Sequence, residues 1–235
     1  MTITWNGVLS STHGIEIRKY PNLDRPKRKT DVYSVPGRSG DVVVQYDAFD
    51  NYTVNYEIFA GGDTDGNAET KYVDVAAWLY QKGYCQLIDS SEPGYYRMAY
   101  YAGPMNVENL MTRYGKCVIT FVCMPFRYST TSNDITLTGT GTISNTYKFA
   151  SKPLLKVYGD GQFVFNGTEV TIDSHLYTYL YIDCDSQQVY YDATTPMGSY
   201  VVLNDFPELS PGTNTVTFTD ATITKIVVSP RWRTL

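Results

Sequence analysis

Short runs of strictly alternating apolar and polar residues, each closed by a turn signal, are the feature that most limits what this chain can fold into. A period of two puts every second side chain on one face of an extended strand. It predicts strands at 3–8, 41–46, 52–59, 84–88, 95–101, 117–123, 154–158, 177–182, 215–219 and 223–228. Pro36-Gly37, Gly61-Gly62, Pro93-Gly94, Asn166-Gly167 and Pro211-Gly212 punctuate them. Asn166-Gly167 predicts a tight hairpin between 163–165 and 169–172, because a type I′ turn needs positive φ at both central residues. Composition agrees. Val, Thr and Tyr, which suit a pleated sheet, number 71, whereas Ala, Leu, Glu and Lys, which suit a helix, number 40. The chain reads as mainly β.

One helix interrupts the strands, over 68–82. Tyr72, Val75, Ala76 and Leu79 make its apolar stripe, Asn67 caps its start and Gly83 closes its end. Residues 129–146 are nearly all Ser, Thr, Gly, Asn and Asp, which sets a domain boundary there. The expected domains are 1–130, with the helix, and 131–235, short strands alone and of the size of a β-sandwich.

With 43% apolar and 18% charged residues the chain can bury a core and is not disordered. A net charge of −5 gives no global attraction to nucleic acid, and no apolar run reaches the roughly 18–20 residues of a membrane helix. The opening Met1–Ser10 has neither a basic start nor an apolar stretch, so no secretory signal is expected and synthesis and folding in a cytoplasm are. Outside a secretory route the sequons at Asn51 and Asn166 carry no meaning, and four cysteines are too few for a disulfide scaffold. The charge is uneven. Residues 1–40 hold seven basic groups against three acidic, a net of +4, and 151–235 hold five against nine, a net of −4. Arg25, Lys27, Arg28 and Lys29 read either as an electrostatic contact or as a solvated loop, which Pro21 and Pro26 keep out of regular structure.

A catalytic centre is hard to find. His13 and His175 fall in different domains, and no nucleophile pattern surrounds either. Cys117 and Cys123 are six apart on one strand, about 20 Å, too far for a disulfide or a shared metal. With Ile119 and Phe121 they share one apolar face. Cys85 and Cys184 have no ligand cluster near them. Asp183 and Asp185, with Asp160, Asp173 and Asp192 in the same domain, allow a carboxylate pair or a calcium site, but 185–187 also reads as an ordinary hairpin turn. Gly139–Gly141 lacks the rest of a phosphate loop. No cofactor is expected. Tyr177, Tyr179 and Tyr181 face one side of a strand and Leu180 and Ile182 the other. The tyrosine side is an aromatic platform for sugars or protein partners if exposed, and half of a core if buried. Tyr95, Tyr96, Tyr100 and Tyr101 form a second aromatic strand.

Four ordered segments carry a resemblance. They are Val35–Asp41 with the strand at 52–59; the helix at 72–80 leading through Gly83 to Cys85–Asp89 and Tyr95–Met98; Cys117–Tyr128; and Phe206–Val216 followed by Pro230–Leu235. In that order and spacing the chain resembles the distal tail proteins of long, flexible-tailed bacteriophages and prophages. The resemblance implies an N-terminal split β-barrel with one α-helix and a C-terminal galectin-like β-sandwich. It implies a homo-hexameric ring at the tip of the tail tube that joins the tube to the tail-associated lysin or tail-fibre protein and carries receptor-binding proteins. No segment is long enough for the carbohydrate-binding insertion that some members carry. On this reading the chain is a structural virion protein of the tail tip and no enzyme. It neither grips nucleic acid nor enters a membrane. Arg38, on a hairpin tip built by Pro36-Gly37 and Gly40, and the 25–29 loop then touch a neighbouring subunit or tail protein. The alternative is a carbohydrate-binding sandwich that recognises cell-surface glycans through Tyr177, Tyr179 and Tyr181. Third comes a glycosidase using Asp183 or Asp185.

Overall fold

A computed structural model describes residues 1–22, 24–61, 68–105, 107–111, 114–174, 177–220 and 222–235. Two compact units divide the chain, residues 1–127 with Leu235, and residues 128–234.

The first unit is built from β1 (Ile3–Trp5), β2 (Val8–Leu9), β3 (Ile15–Ile17), β4 (Arg28–Tyr33), β5 (Val42–Phe49), β6 (Tyr52–Gly61), α1 (Ala68–Leu79), β7 (Cys85–Asp89), β8 (Tyr95–Tyr101), β9 (Val107–Met111) and β10 (Tyr114–Ser129). Its main sheet runs β2-β1-β7-β8-β10-β6-β3, with β9 on β10, and curls into a half-barrel. The run expected as one strand at 3–8 is a hairpin. Asn6 and Gly7 take φ of 48° and 80°, a turn that folds β2 back on β1. Alternation sets the core. Cys117, Ile119, Phe121 and Cys123 of β10 lie opposite Ile58, Tyr56, Val54 and Tyr52 of β6, and all eight are buried. Tyr72, Val75 and Leu79 of α1 join them, while Ala76 is half-buried and Trp78 adds to the buried face. Trp5 Nε1 donates to the Leu79 carbonyl at 3.3 Å, satisfying a helix-end acceptor, and Trp78 Nε1 donates to the Trp5 carbonyl at 3.4 Å. The helix stops at Leu79, short of the expected Lys82, and Gly83 (φ 73°) belongs to the turn beyond it. The expected cap, Asn67, lies outside the described residues.

In the second unit β11 (Ile135–Leu137), β12 (Gly141–Asn145), β13 (Leu154–Tyr158), β14 (Gly161–Phe165), β15 (Thr168–Ile172), β16 (Tyr179–Asp183), β17 (Gln188–Asp192), β18 (Thr195–Pro196), β19 (Val201–Leu203), β20 (Gly212–Phe218) and β21 (Lys225–Ser229) form two antiparallel sheets. Their orders are β11-β21-β13-β16-β17-β18 and β12-β20-β14-β15-β19. Leu155, Val157, Leu180, Ile182, Ile226 and Val228 from the first sheet meet Phe163, Phe165, Val170 and Val216 from the second in one core. Asn166-Gly167 makes the expected hairpin, with φ of 52° and 89° and Phe165 paired to Thr168. The polar stretch after Ser129 holds two short strands, β11 and β12.

Candidate functional site

The residue types that carry catalysis are held in structural roles. His13 stacks on Trp78 at 4.9 Å and its Nδ1 lies 3.6 Å from Asp74, so it joins its short 3₁₀ turn to α1. His175 lies outside the described residues. Burial raises the thiols of Cys117 to about 11, and of Cys123 and Cys184 to about 12, and all four cysteines are free. The Asp183 carboxylate accepts a fork from Arg231 at 2.7 and 3.1 Å and the amides of Asp185 and Ser186. Burial opposes its ionisation, but Arg231 and these amides outweigh it and hold the carboxyl below its ordinary value. Asp183 therefore fixes the β16–β17 turn. Asp160 accepts Ser174 N and Oγ, joining the chain before β14 to the chain after β15, and Asp192 accepts Thr194 N and Oγ1 as an ordinary turn cap. Among the described residues no three His, Cys, Asp or Glu side chains are placed to hold a metal.

Deep in the first unit lies an ionic cluster that sequence reading missed. Arg97 is 1% exposed. Its Nε donates to Tyr52 Oη at 2.8 Å, and its guanidinium pairs with Glu92. Glu92 also pairs with Arg127, and Arg25 Nη1 lies 3.9 Å away. Buried Asp89 accepts Tyr56 Oη at 2.9 Å and Ser91 N and Oγ at 2.7 Å. Every anion here is committed to a neighbour, which ties the 90–94 turn to the sheet.

Two surfaces remain open. The first is the β4–β5 ribbon, a two-stranded sheet of its own with Val32 paired to Val43 and Asp31 to Val44. Residues 31–41 are all exposed, and Val32, Tyr33, Val43 and Tyr46 are 56%, 54%, 56% and 45% accessible. The Tyr46 hydroxyl donates to Asp31 at 2.7 Å. Of the predicted contact residues, Arg28 and Lys29 begin β4 instead of a loop, because the chain from Arg28 pairs with β5. Arg28 bonds Asp47 at 2.7 Å and covers the Phe49 ring. Lys27, Lys29 and Arg38 are exposed, with no carboxylate within 4 Å among the described residues. Arg38 sits in a turn closed by its N–H donating to the Val35 carbonyl, with Gly37 and Gly40 at φ of 81° and 82°.

The second surface is the outer face of the β13–β16–β17 sheet. Leu180 and Ile182 face the core, so Tyr179 and Tyr181 face out, and Tyr177 precedes them in the same half-buried state. Strand pairing adds residues that sequence spacing did not assemble. Tyr158 stands opposite Tyr179, Lys156 opposite Tyr181, Tyr190 opposite Tyr181 and Lys225 opposite Tyr158. Ring centroids lie 4.6 Å (Tyr177–Tyr191), 4.9 Å (Tyr179–Tyr191), 5.4 Å (Tyr181–Tyr190) and 5.6 Å (Tyr158–Tyr179) apart. Lys156 Nζ lies 3.9 Å from the Tyr179 centroid and Lys225 Nζ 3.9 Å from that of Tyr158.

Residues 8–123 match the family described as the phage tail protein RIFT-related domain. The whole chain is similar in fold to the SPP1 Dit protein, described as a paradigm of the hub adsorption apparatus in phages infecting Gram-positive bacteria. The two share 13% identity and a TM-score of 0.69 over 100% of this chain and 99% of that one. It is also similar to a chain of the phage p2 baseplate in its activated conformation with strontium, at 9% identity and a TM-score of 0.53 over 97% and 96%. No curated protein sequence matches it. The two structural neighbours give the chain the fold of phage hub and baseplate proteins. Among the described residues no helix is long and apolar enough to cross a membrane.

Proposed function

We propose that the chain is a structural hub at the virion tail tip, where six copies close into a ring. The ring joins the tail tube to the tail-associated lysin or tail-fibre protein and carries receptor-binding proteins outside. The β4–β5 ribbon carries this reading. A lone two-stranded hairpin is marginal in water, and this one leaves Val32, Tyr33, Val43, Val44 and Tyr46 open. Covering it with a different surface of a second copy makes a head-to-tail interface, the kind that closes into rings. Lys27, Lys29 and Arg38 flank the apolar strip and are available to acidic groups across that interface. Arg25 and Arg28, held by Glu92 and Asp47, steady its base. The role is one of assembly, without catalysis and without a stable grip on nucleic acid.

Light scattering behind a sizing column, with negative-stain imaging, tests it. The expected particle has six-fold symmetry and six times the 26.5 kDa chain mass. Val43→Ser with Val44→Ser is expected to leave folded monomers. A wild-type chain that stays monomeric alone and when co-expressed with its tail-tube and lysin partners overturns the ring.

A further inference from the structure

The outer face of the second unit has an unusual makeup. Lys156 and Lys225 bracket Tyr158 within a half-buried group of four tyrosines, Tyr158, Tyr179, Tyr181 and Tyr190, while Tyr177 and Tyr191 touch Tyr179 or one another and also pack against the core. Neither lysine has a carboxylate within 4 Å among the described residues, although residues 151–235 carry a net of −4. Asp183, which shares this face, is bound to Arg231. The two ammonium groups meet tyrosine rings and hydroxyls and, among the described residues, no carboxylate, so their charge is not neutralised locally. The rings lie tilted or edge-on to one another, with only Tyr181 and Tyr190 stacked, and ammonium groups sit over two of them. Such a cluster recognises a ligand through phenol hydroxyls, ring edges and ammonium groups rather than through broad sugar stacking. Beyond Tyr190 the sheet edge opens into a groove of about 820 Å³ lined in part by Ser186, Gln187, Gln188 and Thr194, amide and hydroxyl groups suited to a polyol, with the carboxylates of Asp183 and Asp192 held by Arg231 and Thr194.

We propose that this face binds a phosphate-bearing saccharide polymer of a cell surface, the phosphates on Lys156, Lys225 and the Tyr158 and Tyr181 hydroxyls, and the sugar along Tyr190 and the adjoining groove. Both cations are lysines, which bind phosphate as compact point charges. The planar guanidinium fork that suits a carboxylate is already used by Asp183. A hydrogen bond from the Lys156 ammonium, with the charges of Lys156 and Lys225 adding to it, lowers the Tyr158 phenol below its ordinary value. Nucleic acid fits less well, since two cations on an acidic unit offer few phosphate contacts against a repelling background. The proposal stands on the second unit alone and does not depend on ring formation.

Biolayer interferometry on the full chain tests it, with phosphomannan, the same mannan stripped of phosphate, and a single-stranded DNA oligonucleotide as probes. Phosphomannan is expected to bind. Removing its phosphate, or making Lys156→Ala with Lys225→Ala, is expected to weaken binding by about tenfold or more. Tyr181→Phe, which keeps the ring, is expected to weaken it a few-fold, and Lys148→Ala, an exposed charge elsewhere on the unit, to leave it unchanged. An unchanged melting curve shows that the double variant folds. Equal binding of the two mannans, DNA binding as tight as phosphomannan, a loss with Lys148→Ala equal to that of the double variant, or no binding at all overturns the proposal.

Discussion

The two units solve the same problem differently. The second closes two sheets over one core of Leu, Val, Ile and Phe and keeps its main ion pair, Asp183–Arg231, at a turn. The first curls one sheet around a helix, buries a full ionic cluster at Arg97 and Glu92, and leaves the β4–β5 ribbon outside any core. What stays unsatisfied therefore differs in kind. In the first unit it is apolar area, which a protein surface covers. In the second it is a pair of lysines set among tyrosine rings, without the exposed apolar strip that accompanies Lys27, Lys29 and Arg38 in the first. The difference teaches that one chain can leave apolar area open in one unit and an aromatic and cationic cluster open in the other.

The sharpest way to break this comparison is at the buried charges. Glu92→Ala strands Arg97 in the interior and is expected to cost about 3–5 kcal/mol, read as a urea midpoint shift in the first unit's transition. Core truncation is expected to cost much the same in either unit. Phe121→Ala and Phe163→Ala, both fully buried, should each lose about 3–5 kcal/mol, each moving only its own unit's transition. Asp183→Asn is expected to cost less, about 1–3 kcal/mol, because its carboxylate sits at a turn near water. The same pair sets a pH dependence. The folded Asp183 pKa lies below the unfolded value, so its contribution is complete above about pH 4 and is lost as pH falls through the folded pKa, in step with weakening of the second unit. The smallest effect is on thiol reactivity. Half-exposed Cys85 is expected to react with a thiol reagent in the native protein, while Cys117, Cys123 and Cys184 wait for unfolding. Rapid reaction of more than one thiol would show that a core opens.

Much of the fold was legible because it is local. Asn166-Gly167 specifies its own turn, and the Cys117–Cys123 alternation specifies its own buried face. Asn6-Gly7 carried the same signal inside an apolar run, so an unbroken strand was read where the chain turns back. The face of Tyr177, Tyr179 and Tyr181 was half legible. Alternation separates them from Leu180 and Ile182, but a strand with apolar groups on both sides does not say which side a second sheet will cover.

The sequence by itself determined where this chain turns, where it alternates, that it forms one helix, and that its early segment is basic and its late segment acidic. Those properties follow from backbone sterics and side-chain periodicity over a few residues. Only the tertiary structure decided that Lys225 stands beside Tyr158, that Arg231 reaches back to Asp183, that Glu92 meets Arg97 and Arg127, and that β4 and β5 find no third strand among the described residues. Each depends on strand order, a choice made by burial summed over residues far apart in the chain, and no local pattern encodes it.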